Sequence, residues 1–146
     1  MYLLDTNVVS ELRPRSSRIS DPRVIAWARS VSPSSLYLSV ICIFEMRMGI
    51  LQKQRTDQAQ AAVLRSWLTD YVLRSFSDRI LPVDTAVALQ CAALHVPNPS
   101  SYRDSLIAAT ALVHSMTVVT RNVSHFAKTG VKLLNPWEAQ AAQRKV

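Results

Sequence analysis

The chain has 146 residues, 49% of them apolar and 18% charged, with 17 Lys+Arg against 10 Asp+Glu and a formal net charge of +7. That length suits a single domain, expected to span residues 1–146, large enough to bury a core without disulfides or metal, and the composition excludes wholesale disorder. Gly49 and Gly130 are the only glycines, which excludes the phosphate-cradling loops that need several glycines close together. In chain order, Tyr2–Leu4 is the first apolar run that reads as a strand, and Val8–Leu12 follows as a helical turn. Asp21-Pro22 places an N-cap before a proline at the first helical position and opens a helix through Trp27. Leu36–Val40 reads as the second strand, and Ile41, Phe44, Met48 and Leu51 then follow helical spacing. A long helix is expected from about Thr56 to Ser75, with Ala62, Val63, Trp67 and Tyr71 on its apolar side. Ile80–Val83 is the third strand, and Asp84 caps a helix reaching His95. After the loop Val96–Ser101 come a helix over Tyr102–His114, strands at Thr117–Thr120 and Val131–Leu134, and a short last helix opened by Asn135-Pro136.

Strands apolar on both sides suit a sheet covered on both faces. The alternation of strand and helix predicts an α/β fold, a three-layer sandwich with a five-stranded parallel sheet flanked by helices. Cys42 and Cys91 are expected as buried thiols of a reducing compartment. The opening MYLLDTN has neither the basic region nor the apolar run of a signal peptide. No stretch is apolar enough to cross a bilayer, so the expectation is cytosolic with no membrane contact. Arg outnumbers Lys 13 to 4, and Arg13, Arg15, Arg18, Arg23 and Arg29 crowd the N-terminal segment. A basic surface of this kind attracts nucleic acid, acidic proteins or anionic lipid.

Three of the ten acids stand out. Asp5 ends the first strand, where ligands of parallel sheets collect; an N-cap for the next turn explains it equally well. Glu45 falls with Ile41, Phe44 and Met48, on or beside an apolar stripe, so it needs a cation or an ion pair with an arginine such as Arg47 or Arg103. Asp104 lies in the first turn of a helix, where a carboxylate complements the macrodipole. Together the three can converge over one edge of the sheet. Carboxylates held close repel one another, and a hard divalent cation relieves that repulsion.

Five segments carry a family resemblance: LLDTNVVSEL at 3–12, LSVICIFEMRMG at 38–49, RDSLIAATA at 103–111, TVVTRN at 117–122 and NPWE at 135–138. In this order and spacing they resemble the PIN-domain ribonucleases, above all the VapC and FitB toxins of prokaryotic toxin–antitoxin pairs. The resemblance implies a five-stranded parallel sheet and Mg²⁺- or Mn²⁺-dependent cleavage of RNA. It also implies inhibition by a cognate antitoxin, which brings the toxin to DNA only indirectly, and a homodimer. It assigns Asp5, Glu45 and Asp104 as the catalytic and metal-holding acids. In many members a fourth acid lies in the loop after the fourth strand; here that loop offers Asn122 and His125. Asn122 can bind water or metal through its amide oxygen, and Thr6 and Thr120 can orient carboxylates or waters.

A competing reading is a weakly active or inactive PIN fold that serves as an antitoxin-binding subunit of a DNA-bound complex. A haloacid-dehalogenase-like phosphatase fits poorly, because Asn7 stands where that chemistry wants a second Asp. Phe44, Met46, Met48 and Ile50, with the 56–75 helix, can form either core or a groove for a partner helix.

Overall fold

The structure, a computed structural model, describes residues 1–15 and 18–138. The strands are β1 (Tyr2–Leu4), β2 (Leu36–Ser39), β3 (Ile80–Leu81), β4 (Thr117–Val119) and β5 (Leu133–Leu134). They form one parallel sheet in the order β3-β2-β1-β4-β5. Leu3 and Leu4 are neighbours, and so are Val118 and Val119; all four are buried. Successive strand residues point to opposite faces, so both faces of the sheet are covered, which is the three-layer arrangement expected from the sequence. The central strands therefore admit only apolar side chains, and the polar residues are displaced to the strand ends.

The helices are α1 (Thr6–Leu12), α2 (Pro22–Ser30), α3 (Val40–Gln54), α4 (Gln58–Trp67), α5 (Leu73–Ser75), α6 (Thr85–Leu94) and α7 (Tyr102–Val113). The proline and caps act where expected. Asp21 accepts the Arg23 N–H, and Asp84 accepts the Val87 N–H. Short 3₁₀ turns at Pro33–Ser35, Val123–His125 and Ala127–Thr129 were not visible in the pattern.

Several boundaries differ from expectation. Val40 opens α3 instead of closing β2, because the Ser39 hydroxyl accepts the Ile41 N–H and starts the helix there. β3 stops before Pro82, which has no N–H for the ladder. β5 is shorter than Val131–Leu134. The 56–75 helix starts only after Asp57, and α4 passes through a π-helical turn, Leu68–Val72, before α5. Its inward residues are Ala61, Leu68, Val72 and Phe76, and Tyr71 faces out. In α3 the buried side chains are Cys42, Met46 and Ile50, and Phe44 is 55% exposed. The stripe drawn through Ile41, Phe44 and Met48 is thus rotated from the true core face. Asn135-Pro136 forms a turn in which Asn135 Oδ1 accepts the Trp137 N–H, and any helix beyond it falls at 139–146, outside the described residues.

In strand order, β1 has β2 on one side and β4 on the other. The chain runs outward from β1 through β2 to β3, then returns to place β4 on the opposite side of β1. This reversal makes the carboxyl ends of β1 and β4 the switch point, where a crevice opens above a parallel sheet. Asp5 follows β1, and Thr120 follows β4.

Candidate functional site

At that switch point a cleft of about 380 Å³ is lined by Asp5, Thr6, Asn7, Ser10, Glu45, Ser101, Arg103, Asp104, Asn122 and His125. Four elements supply it. The β1–α1 junction brings Asp5 to Asn7, α3 brings Glu45, the start of α7 brings Arg103 and Asp104, and the loop after β4 brings Asn122 and His125.

Asp5 is only 7% exposed. One carboxylate oxygen accepts the Thr6 N–H at 2.8 Å, so Asp5 does cap α1. The other accepts the Thr120 hydroxyl at 2.8 Å and the Asn7 amide at 3.3 Å. The cap reading of the sequence therefore holds, and the same side chain lines the cleft. Burial pushes the Asp5 carboxyl above its ordinary range; the Thr120 and Thr6 hydrogen bonds pull it down, the Asp104 charge raises it, and His125 lowers it.

Glu45 sits on the edge of α3, with its side chain 23% exposed. Its Oε1 accepts the Thr6 hydroxyl at 3.0 Å, and its Oε2 lies 3.6 Å from the Arg103 guanidinium. Arg103, not Arg47, is thus the arginine partner. Burial raises the Glu45 pKa, the Thr6 hydrogen bond lowers it, Asp5 raises it, Arg103 lowers it, and Asp104 raises it again. Two acids whose pKa values are lifted by burial and by neighbouring carboxylates, Asp104 for Asp5 and both Asp5 and Asp104 for Glu45, are short of positive charge.

Carboxylate oxygens of Asp5 and Glu45 and the thiol of Cys42 lie within 4.8 Å of one another. The thiol does not belong to a metal site of this kind. Cys42 is fully buried, its Sγ donates to the Leu4 carbonyl at 3.4 Å, and burial pushes its pKa up to about 12. The thiol is engaged by the Leu4 carbonyl and is a soft ligand, whereas two carboxylates with hydroxyl neighbours suit a hard, oxygen-seeking dication. Asp104 stands outside this tight cluster. It lines the same cleft, and its Oδ2 lies 3.6 Å from His125 Nδ1.

Thr6 and Thr120 hold carboxylates, as the sequence suggested. Asn122 lines the cleft, and its backbone N–H donates to the Thr120 hydroxyl at 3.0 Å. Sequence reasoning missed Asn7 as a site residue. Its amide donates to Asp5 and, at 3.4 Å, to Thr120, and its carbonyl oxygen accepts the Arg121 N–H at 3.3 Å. The signal was its place in the DTN tripeptide, two residues after the strand-end acid. Ser10 and Ser101 also line the cleft and carried no sequence signal.

The chain matches the family model of the PIN domain over residues 2–132. It is 38% identical over 143 residues to the toxin FitB of Neisseria gonorrhoeae, an alignment covering 94% of this chain and 99% of that one. It is 35% identical over 147 residues to the VapC ribonuclease Y4jK of Sinorhizobium fredii, covering 94% and 99%. Among solved structures, FitAcB from Neisseria gonorrhoeae superposes with a TM-score of 0.84 at 37% identity, over 95% of this chain and 100% of that one. A FitAB complex on a DNA fragment superposes with a TM-score of 0.83 at 38% identity, over 96% and 98%. The extent of these matches, together with the parallel sheet and its acidic switch point, shows that the chain belongs to the PIN-domain family, among its FitB- and VapC-like members.

Proposed function

We propose that the chain, acting as one PIN domain, is a metal-dependent endoribonuclease and the toxin of a type II toxin–antitoxin pair. The observation that carries this reading is the meeting of Asp5 and Glu45 oxygens within 4.8 Å, in a cleft shared with Asp104, on a chain of net charge +7. Anionic substrate is drawn by the whole molecule, and the one concentrated patch of negative charge in the cleft is suited to a dication, Mg²⁺ or Mn²⁺. Asp5 and Asp104 are the residues proposed to hold it, with Glu45 as ligand or as the base that orients the attacking water. When bound, the dication neutralises charge on the phosphate and makes water more acidic.

The chain's own residues do the positioning. Thr120 and Asn7 fix the Asp5 carboxylate, and Thr6 ties Glu45 to the β1–α1 junction. A base held within hydrogen-bond reach of its water needs this rigidity more than it needs any special pKa. Arg103 lines the same cleft beside Glu45 and would supply a guanidinium to the substrate phosphate.

The relatives are named a toxin and a ribonuclease, and the similar structures are of FitAcB and of FitAB bound to a DNA fragment. An antitoxin partner, contact with DNA only through it, a homodimer and a cytoplasmic location belong to the same proposal. Among the described residues, no helix is long and apolar enough to cross a membrane. The exposed Phe44, Leu51 and Val63 on α3 and α4 give the molecule apolar surface that suits work in an assembly.

A second reading, a binding module with weak or no nuclease activity, draws on one observation. Glu45 and Asp104 each already face a basic side chain, Arg103 and His125. RNA cleavage with Mg²⁺, with EDTA and with Asp5→Asn tests the primary proposal. EDTA and the substitution are each expected to abolish cleavage, and cleavage that persists through either rejects it. Growth arrest on expression without antitoxin, relieved by Asp104→Asn, separates the enzyme from the module.

A further inference from the structure

A second hollow, of about 300 Å³, adjoins the cleft. Ala93 and Leu94 at the end of α6, the loop 96–100, and Ser124, His125, Lys128 and Thr129 from the turns after β4 enclose it. His125 lines both cavities and so stands at their common boundary. Ser100 on the hollow and Ser101 on the cleft are consecutive residues, so the chain passes from one cavity to the other there as well. A strand threading the cleft therefore meets the hollow next.

The chemistry of the hollow is mixed in a specific way. Val96, Pro97 and Pro99 give apolar surface, Asn98, Ser100, Ser124 and Thr129 give hydrogen-bonding groups, and Lys128 gives a single cation. An unstacked base wants an apolar bed with a few polar contacts along its edges, and the phosphate beside it wants a cation. Among the described residues no acidic side chain lines the hollow, which disfavours an arginine-bearing peptide there. The rim is also held in place. The Ser100 N–H donates to His95 Nδ1 at 3.4 Å, and the His95 ring stacks on Tyr102 with centroids 4.9 Å apart. The 96–100 loop is tied in this way to the first turn of α7, the same turn that carries Asp104. A preformed rim spares the ordering cost that a loose loop would impose on binding.

We propose that this hollow is a subsite for a nucleotide flanking the scissile phosphate, with Lys128 contacting the adjacent phosphate and His125 separating the flanking base from the reacting centre. The proposal rests on the ribonuclease reading and extends it from the reacting phosphate to the neighbouring nucleotide.

The test is binding of single-stranded RNA, a dinucleotide and a longer oligonucleotide, to the whole protein in an Asp5→Asn background that prevents cleavage. Lys128→Ala is expected to weaken the longer oligonucleotide more than the dinucleotide. It is also expected to make the log–log salt slope shallower by about 0.7, the value for one phosphate contact on a single strand. Ala93→Phe fills the hollow without altering charge and is expected to weaken the longer oligonucleotide with the slope retained. Both positions are exposed, and circular dichroism of each variant shows whether the fold is kept. Equal loss for both RNA lengths, or no loss in either variant, overturns the subsite and leaves the nuclease reading standing. Failure of the Asp5→Asn chain and of the unsubstituted chain to bind either RNA overturns both. Variants that lose the antitoxin and keep RNA assign the hollow to the protein partner and overturn the subsite as well.

Discussion

Thr120 shows how much one hydroxyl can organise. It is fully buried at the end of β4, donates to Asp5 at 2.8 Å, and accepts the Asn122 N–H at 3.0 Å. Thr120→Val keeps the shape and removes the bonds. The buried Asp5 oxygen then keeps only the Asn7 amide, and a buried acceptor stripped of a partner costs about 1–3 kcal/mol. The expected outcome is a lower urea midpoint with an unchanged slope, together with weaker divalent-cation binding by calorimetry. An unchanged midpoint would show that water replaces the hydroxyl at no cost. Residues of this kind are poorly legible in a sequence. Asp5 was found because strand ends in parallel sheets have a meaning. Asn7 was not, because its role depends on β4 arriving alongside β1 from more than a hundred residues away. Glu45 was found for a reason only partly right. Helical spacing puts it on or beside a stripe of Ile41, Phe44 and Met48; the core face of α3 runs instead through Cys42, Met46 and Ile50, and Glu45 lies at its edge. That edge lets a carboxylate reach the cleft without being sealed in the core.

Elements were legible where local chemistry fixes them and obscure where tertiary contact does. The proline and Asp of α2 and the cap of α6 are local, and both helices begin where the sequence says. The long helix after α3 is different. Leu68, Val72 and Phe76 all face inward at intervals of four, and each step of four overshoots a 3.6-residue turn by about 40°. The π turn at Leu68–Val72 takes up that overshoot, so Val72 is buried where a regular period through Trp67 would bury Tyr71. The Glu11 side chain ties the two ends of the α1–α2 connection together. Glu11 is buried at the end of α1, with one oxygen accepting the Asp21 N–H at 2.9 Å and the other paired to Arg18. Burial alone raises the Glu11 pKa, but the Asp21 and Arg18 hydrogen bonds and the nearby arginine charges outweigh it and hold the carboxyl below 4.5. A depressed folded pKa means that this carboxylate's stabilisation is complete above the unfolded value and fades as pH falls through the folded one. Glu11→Gln is therefore expected to be less stable at neutral pH, by about 1–3 kcal/mol for a charge-assisted hydrogen bond. It is also expected to lose less stability than the parent between pH 4.5 and strong acid. Chemical denaturation across pH checks both limbs, and an acid limb as steep as the parent's excludes Glu11 as its source.

The whole molecule divides its charge between two tasks, and the division was the most legible feature of all. Net charge +7 is spread over the surface, while Asp5, Glu45 and Asp104 are gathered at the one crevice that the strand order creates. The fold was readable because five apolar runs in a parallel alternation leave few ways to cover both faces of a sheet. Its site was readable because that topology has one switch point. On the proposed ribonuclease reading the two charge populations act on RNA in opposite directions, and this separates them experimentally. Arginines and lysines hold phosphates at long range, so affinity falls with added salt, by about 0.7 in log–log slope for each contact on a single strand. The carboxylates repel the same phosphates unless a dication covers them. Chelation is therefore expected to weaken RNA binding through the cleft while leaving most of the salt dependence, since the surface cations are untouched. Glu45→Gln, which removes one of the repelling charges, is expected to bind RNA better than the parent in EDTA and to lose that advantage in Mg²⁺. Titrating labelled RNA against both proteins, with and without the metal and at several salt concentrations, checks the crossing. If Glu45→Gln binds no better than the parent in EDTA, the cleft does not face the RNA backbone, and the acids must serve some other purpose.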